Sequence, residues 1–393
     1  MIFTVSISEF SKLLQKTLPV IPPKSTLPVL EHLHFSVKNG KLQVIATDQE
    51  VTIMSVIFVA TESEGEILVP GRRLNEIIRA LGNEGEIKFE ANLDNYEIIL
   101  KTPSGRYVIK GIDPQEYLDI PELFEEDNKY EFTTFSDNSN PNKAFFAKAD
   151  LMRIANKTTF AVSTDEYRPA MTGVLFQFRG NRIHSVATDS YRLVKYTINS
   201  AQLNFPEQLD VIIPARTVDL LKKLDNDVFM AFLERRGKIT HVRFEIGGET
   251  LIVSRIINEK FPPYESVLPK DNPIRATVDY GAVLSAIKRA AIMANEKSKQ
   301  VQFIFDDNQL TITGEDEDSG TSAKEQLACE FPYPRFEIGF NYKYIEDAFS
   351  HIEIQGIRDN QAILTFSEPT KPALLIPNGD SDDLVMLIMP VRI

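Results

Sequence analysis

The segment Leu42-Gln-Val-Ile-Ala-Thr-Asp48 returns as Ile183-His-Ser-Val-Ala-Thr-Asp189, with the two Asp residues 141 positions apart. About twenty residues after each copy comes a second matched pair. Ile67-Leu-Val-Pro-Gly-Arg-Arg-Leu74 is followed by Ile77, Ile78 and Leu81; Val211-Ile-Ile-Pro-Ala-Arg-Thr-Val218 is followed by Leu220, Leu221 and Leu224. A third copy is weaker but keeps register. Leu310-Thr-Ile-Thr-Gly-Glu-Asp316 and Phe336-Glu-Ile-Gly-Phe-Asn341 both lie 127 residues beyond their counterparts in copy two. Repetition at this length means three tandem copies of one domain, because each copy must reach the same fold from the same pattern. At roughly 100–200 residues per domain, 393 residues accommodate three units with real cores.

Each copy reads alike. Phe10, Leu13, Leu14 and Leu18 carry helical spacing, with Ser8 as the expected N-cap. Residues 150–160 and 279–295 correspond to that helix in the later copies. Alternation at Leu33, Phe35 and Val37, then Leu42, Val44 and Ala46, marks strands joined by an Asn39-Gly40 hairpin turn. Gly180-Asn181 and Asn308 hold the same turn later. A second helix starts after Pro70, Pro214 and Phe340, and further strands such as 86–91, 97–102 and 106–111 complete the unit. The expected fold is α+β: three copies of two helices on antiparallel sheet, about eight strands each. Composition shifts at 124–143 and at Lys270-Asp-Asn-Pro273 set the expected domains at 1–125, 129–270 and 271–393.

Net charge is −13, which by itself argues against nucleic acid, since phosphate contacts need Lys and Arg. The charge is segregated, however. The six helical windows (8–24, 71–82, 148–160, 214–225, 279–299 and 341–351) hold 17 Lys and Arg against 9 Asp and Glu, leaving −21 for the rest. Lys and Arg are good helix formers, but so is Glu, and Glu is scarce in these windows. Helices gathered on one surface would make that surface positive. With no base-reading motif, it would bind duplex without sequence preference. A single cysteine, Cys329, excludes an intrachain disulfide and fits a reducing compartment. The N-terminus lacks signal-peptide character and no apolar run reaches membrane length, so a cytoplasmic protein is expected.

Thr26-Leu-Pro-Val-Leu30, Ala187-Thr-Asp-Ser-Tyr-Arg-Leu193, Phe261-Pro-Pro-Tyr-Glu-Ser-Val-Leu-Pro269, Asn295-Glu-Lys297 and Met389-Pro-Val-Arg-Ile393 occur in order along the chain. Together they resemble the beta sliding clamp family, the beta subunit of bacterial DNA polymerase III. That resemblance implies a head-to-tail homodimeric ring around duplex DNA, its helices lining the hole. It also implies a processivity factor that tethers the replicative polymerase, clamp loader and repair polymerases by short linear peptides. Neither cofactor nor catalytic site is implied.

By motif, the peptide pocket would use Met171, Thr188, Ser190, Tyr191, Arg192 and Leu193, with Pro262, Val267, Leu387, Ile388, Met389, Pro390, Val391 and Arg392. Apolar and thioether side chains suit aliphatic peptide residues. Two departures bear on peptide preference: the family usually has Arg where Ser266 stands, and often Gly-His where Ser190-Tyr191 stand. For DNA, the candidates are Lys24, Arg72, Arg73, Arg79, Arg153, Lys157, Arg168, Arg216, Lys222, Lys297 and Lys299. For the dimer interface, Tyr107 and Ile109 would meet Ile292 and Met293, with Arg106 near the acidic run Glu315 to Asp318.

Catalytic patterns are weak. Gly247-Gly248 is a turn rather than a phosphate loop, and His32 and His34 lack the spacing partners of a metal site. Thr47-Asp48 and Thr188-Asp189 recur in two copies, which points to architecture rather than to a nucleophile. The competing function is a triplicated peptide-binding scaffold that does not encircle DNA.

Overall fold

The computed structural model describes residues 1–118, 143–199, 208–223, 225–235, 238–352, 360–378 and 383–393. The expected boundary at 125–129, almost all of the polar stretch 124–143, and Leu224 lie outside the described residues. The chain forms two compact units. One comprises Met1–Lys148 with Lys223–Ile256, the other Ala149–Lys222 with Ile257–Ile393.

The first unit holds two antiparallel sheets. One runs β5 (Ala60–Ser63), β1 (Ile2–Ser6), β7 (Glu86–Ala91), β8 (Glu97–Thr102), β9 (Gly105–Lys110). The other runs β10 (Lys143–Phe146), β15 (Val228–Arg235), β16 (Lys238–Ile246), β17 (Thr250–Arg255), β4 (Val51–Phe58), β3 (Lys41–Thr47), β2 (His32–Lys38), β6 (Gly65–Pro70). Helices α1 (Ile7–Thr17) and α2 (Gly71–Leu81) pack against each other. Their apolar stripes, Phe10, Leu13 and Leu14 on α1 and Leu74 and Ile78 on α2, are buried. Phe10 meets the edges of Phe3 and Phe35, while Phe3 and Phe89 stack at 4.8 Å. Each fully buried ring contributes about 2–3 kcal/mol of transfer free energy. The cap of α1 is Ser6, not Ser8: Ser6 Oγ accepts from Glu9 N–H at 3.2 Å, because β1 runs directly into the helix.

The second unit holds one twelve-stranded sheet. Its order is β14 (Gln208–Pro214), β11 (Gly173–Arg179), β12 (Arg182–Thr188), β13 (Arg192–Asn199), β25 (Leu384–Ile388), β24 (Ala373–Pro377), β23 (Gln361–Phe366), β18 (Ile274–Asp279), β21 (Thr321–Glu330), β20 (Gln309–Asp316), β19 (Gln300–Asp306), β22 (Phe336–Asn341). Helices α5 (Tyr280–Met293) and α6 (Tyr342–Ser350) pack together as α1 and α2 do. Helices α3 (Lys148–Thr158) and α4 (Ala215–Leu220) belong to the middle copy.

The threefold repeat is now visible in three dimensions. The orders β4-β3-β2-β6, β13-β12-β11-β14 and β21-β20-β19-β22 are the same motif. Phe35, Phe176 and Phe303 occupy one position and are fully buried in all three copies. Each outer strand is covered by a single returning residue: Leu68 by Ile112, Ile212 by Ile257, and Gly339 by Val391. At Gly339 a Cβ would stand 2.9 Å from the Val391 carbonyl, so the third copy accepts its returning chain only with glycine there. The fold is therefore three tandem two-helix, antiparallel-sheet domains.

Candidate functional site

The Thr-Asp repeat is a turn. Thr188 Oγ1 donates to the Arg192 carbonyl at 2.7 Å and accepts from Ser190 N–H at 3.2 Å. Asp189 Oδ1 accepts from the N–H groups of Tyr191 and Arg192, both at 2.9 Å. Thr47 and Asp48 make the same four bonds in the first copy. Gln49 and Ser190 both sit at φ 79°. A left-handed non-glycine residue costs free energy, and this bonding holds it in place. In the second unit the turn presents Ser190 and Tyr191 outward beside an apolar cluster.

That cluster joins Leu175, Val186, Leu193, Ile212, Phe261, Tyr264 and Leu387, with Met389, Leu268 and Leu374 half-buried against it. Met389 is fixed by its N–H, which donates to the Tyr191 carbonyl at 2.8 Å, and Val391 N–H donates to Gly339 at 2.9 Å. Met171 is buried beneath Ser190, whose hydroxyl lies 3.6 Å from its sulfur. Pro262 is half-buried and Val267 stays 52% exposed at the rim. Tyr264 donates to Gln177 Oε1 at 2.6 Å, and burial pushes its phenol up. Thus Met171, Ser190, Tyr191, Leu193, Pro262, Val267, Leu387, Met389, Pro390 and Val391 belong to one neighbourhood of the second unit, and Arg392 is exposed at its end. Phe261 and Tyr264 were quoted in a motif yet not singled out. Ile212 stands in the repeated Val211-Ile-Ile-Pro segment but was not singled out, and Leu175 carried no sequence signal beyond ordinary strand alternation.

Three residues expected in the pocket are occupied otherwise. Arg192 donates to Asp189 at 3.0 Å, to Asp347 and to the Phe160 carbonyl, and its guanidinium lies over the Tyr344 ring at 4.9 Å. It fastens the turn to α6. Ile388 is completely buried, and the Thr188 hydroxyl is committed to the turn. The exposed face beside Arg192 is instead aromatic: Tyr191, 60% exposed, stacks on Tyr344 at 5.9 Å.

The basic residues divide similarly. In the first unit Lys24 and Arg79 are exposed. Arg72 donates to the Ile21 carbonyl at 3.1 Å, and Arg73 pairs with Glu76 at 3.2 Å. In the second unit Arg216 and Lys297 are exposed and Lys299 is half-buried. Arg153 pairs with Asp150 at 3.8 Å and Lys222 with Asp219 at 2.8 Å. Lys157 must be withdrawn as a phosphate contact, because it is only 6% exposed and its ammonium lies over the Tyr196 ring. Arg168 lies beside the Thr-Asp turn, where it donates to Ser190 Oγ at 3.0 Å and pairs with Asp165.

Tyr107 and Ile109 line an open groove of about 620 Å³ with Pro70, Arg73, Ile77, Val108 and Lys110. Ile292 and Met293 end α5 in the other unit, Ile292 being 75% exposed. Asp316 closes its own turn. Hydrogen bonds from Ser319 and Asn295 hold its carboxyl below the usual carboxylate range. Among the described residues no group of three or more His, Cys, Asp or Glu is placed to hold a metal ion, and no helix is long and apolar enough to cross a membrane.

Comparison with known proteins agrees across the chain. Family models of the DNA polymerase III beta subunit match in order: its N-terminal domain at residues 1–121, its central domain at 146–263, and its C-terminal domain at 265–392. Beta sliding clamps of Pseudomonas aeruginosa and Staphylococcus aureus are 25% and 27% identical, with 99–100% of each chain covered. Sliding clamp structures from P. aeruginosa and Bartonella birtlesii, each bound to griselimycin and each 25% identical, superpose over the whole of both chains with TM-scores of 0.84 and 0.85. Triplicated fold, matched domains and whole-length relatives lead to one conclusion: this chain belongs to the beta sliding clamp family, the beta subunit of DNA polymerase III.

Proposed function

We propose that the chain is a DNA polymerase processivity factor that works as a closed head-to-tail dimer around duplex DNA, in the cytoplasm and without catalysis of its own. The observation that carries this reading is the ordered match of all three beta-subunit domains over nearly the entire chain. Three domains per chain and two chains give a ring, and a ring retains DNA by topology, so individual contacts can stay weak. Exposed cations such as Lys24, Arg79, Arg216 and Lys297 would attract phosphate without reading bases. The strongly acidic remainder would limit adhesion elsewhere. The apolar cluster around Met389, Leu193 and Leu387 would take the aliphatic residues of a short peptide from a polymerase, loader or repair polymerase. The proposed domain limits remain 1–125, 129–270 and 271–393.

The test is retention on DNA of different topology. Loaded onto a nicked circle, the protein should stay bound through gel filtration and be released when the circle is cut. Equal loss from circular and linear DNA would contradict encirclement and favour a peptide-binding scaffold.

A further inference from the structure

The apolar cluster around Met389 ends abruptly on one side. Val186 in copy two and Ile45 in copy one are the same residue of the repeated segment. Ile45 lies opposite Met54, and Met54 lies opposite Leu251; all three are buried in one cluster. Val186 lies opposite Lys195, and Lys195 lies opposite Val385. The fold therefore accepts a buried methionine at this place, yet copy two holds a half-buried lysine there. Its cluster stops at Val186, Leu193 and Leu387. A lysine can cover apolar surface with its stem while its ammonium stays in water, so the position costs little and adds a charge.

That charge is uncommitted. Among the described residues neither Lys195 nor the exposed Arg182 makes an ion pair, whereas nearby Arg179 is held by Asp210 at 2.5 Å. Between them on the same sheet face, His184 shares a hydrogen bond of 2.9 Å with Thr197 Oγ1. Burial holds His184 below its ordinary value, and Lys195, Arg179 and Arg182 lower it further against the opposing effect of Glu265. The imidazole thus senses a field that is positive on balance, in a chain whose net charge is −13.

We propose that Lys195 sets the charge preference of the pocket, which takes a partner segment carrying an aspartate or glutamate beside its aliphatic anchor. This rests on the peptide-binding reading above and specifies which peptide binds best. An anchor seated on Val186 and Leu193 stands next to Lys195, because directly opposed side chains in a sheet lie about 5 Å apart. Seating the anchor excludes water from the lysine stem, which strengthens the attraction for a neighbouring carboxylate. A basic residue in the same place meets a like charge and is rejected. Arg182, four residues along β12 from Val186 and about 13 Å away, extends the preference to an acid further along an extended segment.

Titration calorimetry of the full chain with two docking peptides, identical but for Asp or Asn beside the aliphatic anchor, tests this. The wild type should bind the Asp peptide about fivefold tighter at low salt, and the margin should close as salt rises. Lys195→Met, the residue that copy one packs at this place, should bind both peptides alike while keeping its melting temperature. Lys195→Arg should retain the preference. Equal affinity of the wild type for the two peptides, or an equal loss of both in Lys195→Met, would overturn the role of Lys195 and leave the pocket standing. Failure of the wild type to bind either peptide would overturn the pocket itself.

Discussion

At the residue scale, chemistry depends on where a side chain points, and the sequence is silent on that for long polar groups. Arg192 and Lys157 are ordinary surface types in the sequence. In the structure one fastens a turn to a helix and the other sets its ammonium over a tyrosine ring, because a long stem can cover apolar surface while the charge finds an acceptor or a ring. Met389 was legible, since its motif stands in the chain and its thioether remains half-buried on the apolar cluster. Met389→Ala removes about 1–2 kcal/mol of apolar contact, so partner-peptide affinity should fall roughly tenfold while dimerisation is unchanged. Titration calorimetry with a partner peptide, beside sedimentation, checks both halves. Burial also governs the histidines. His34, His184 and His351 are all held below their ordinary value of 6.5, chiefly by desolvation. The unfolded chain then binds more protons than the folded one just below pH 6.5. Stability is full above that value and declines as pH falls toward the folded values. The melting temperature should drop between pH 7.5 and 5.5, and His351→Gln should reduce that drop; an identical drop in the variant would remove His351 from the explanation.

Elements were the most legible level, because hydrophobic period and turn chemistry act locally. The second helix of each copy, the hairpin at Asn39-Gly40 and strands β7 and β8 fall where the pattern puts them. The cap of α1 did not. Two serines compete at that end, and only the strand preceding the helix decides that Ser6 is the one with extended backbone. The charge on the helices belongs to this scale. If their exposed cations meet phosphate, Lys24→Glu, Arg79→Glu and Arg216→Glu together should weaken duplex binding and flatten its dependence on salt by about three units of slope. An unaltered slope would place the contacts elsewhere.

For the whole molecule, triplication was the decisive signal, because equal offsets between distant segments arise only from repeated architecture. It predicted the domain count before any strand was placed, and the structure returned the same order of strands three times. Closure between copies was legible only through the family resemblance, which implied that Tyr107 and Ile109 meet Ile292 and Met293. The central claim is that two chains of three domains close a ring. Sedimentation of the purified chain over a concentration series tests it most directly. The account predicts a stable species of twice the 44.5 kDa chain mass; a monomer persisting at every concentration would contradict it.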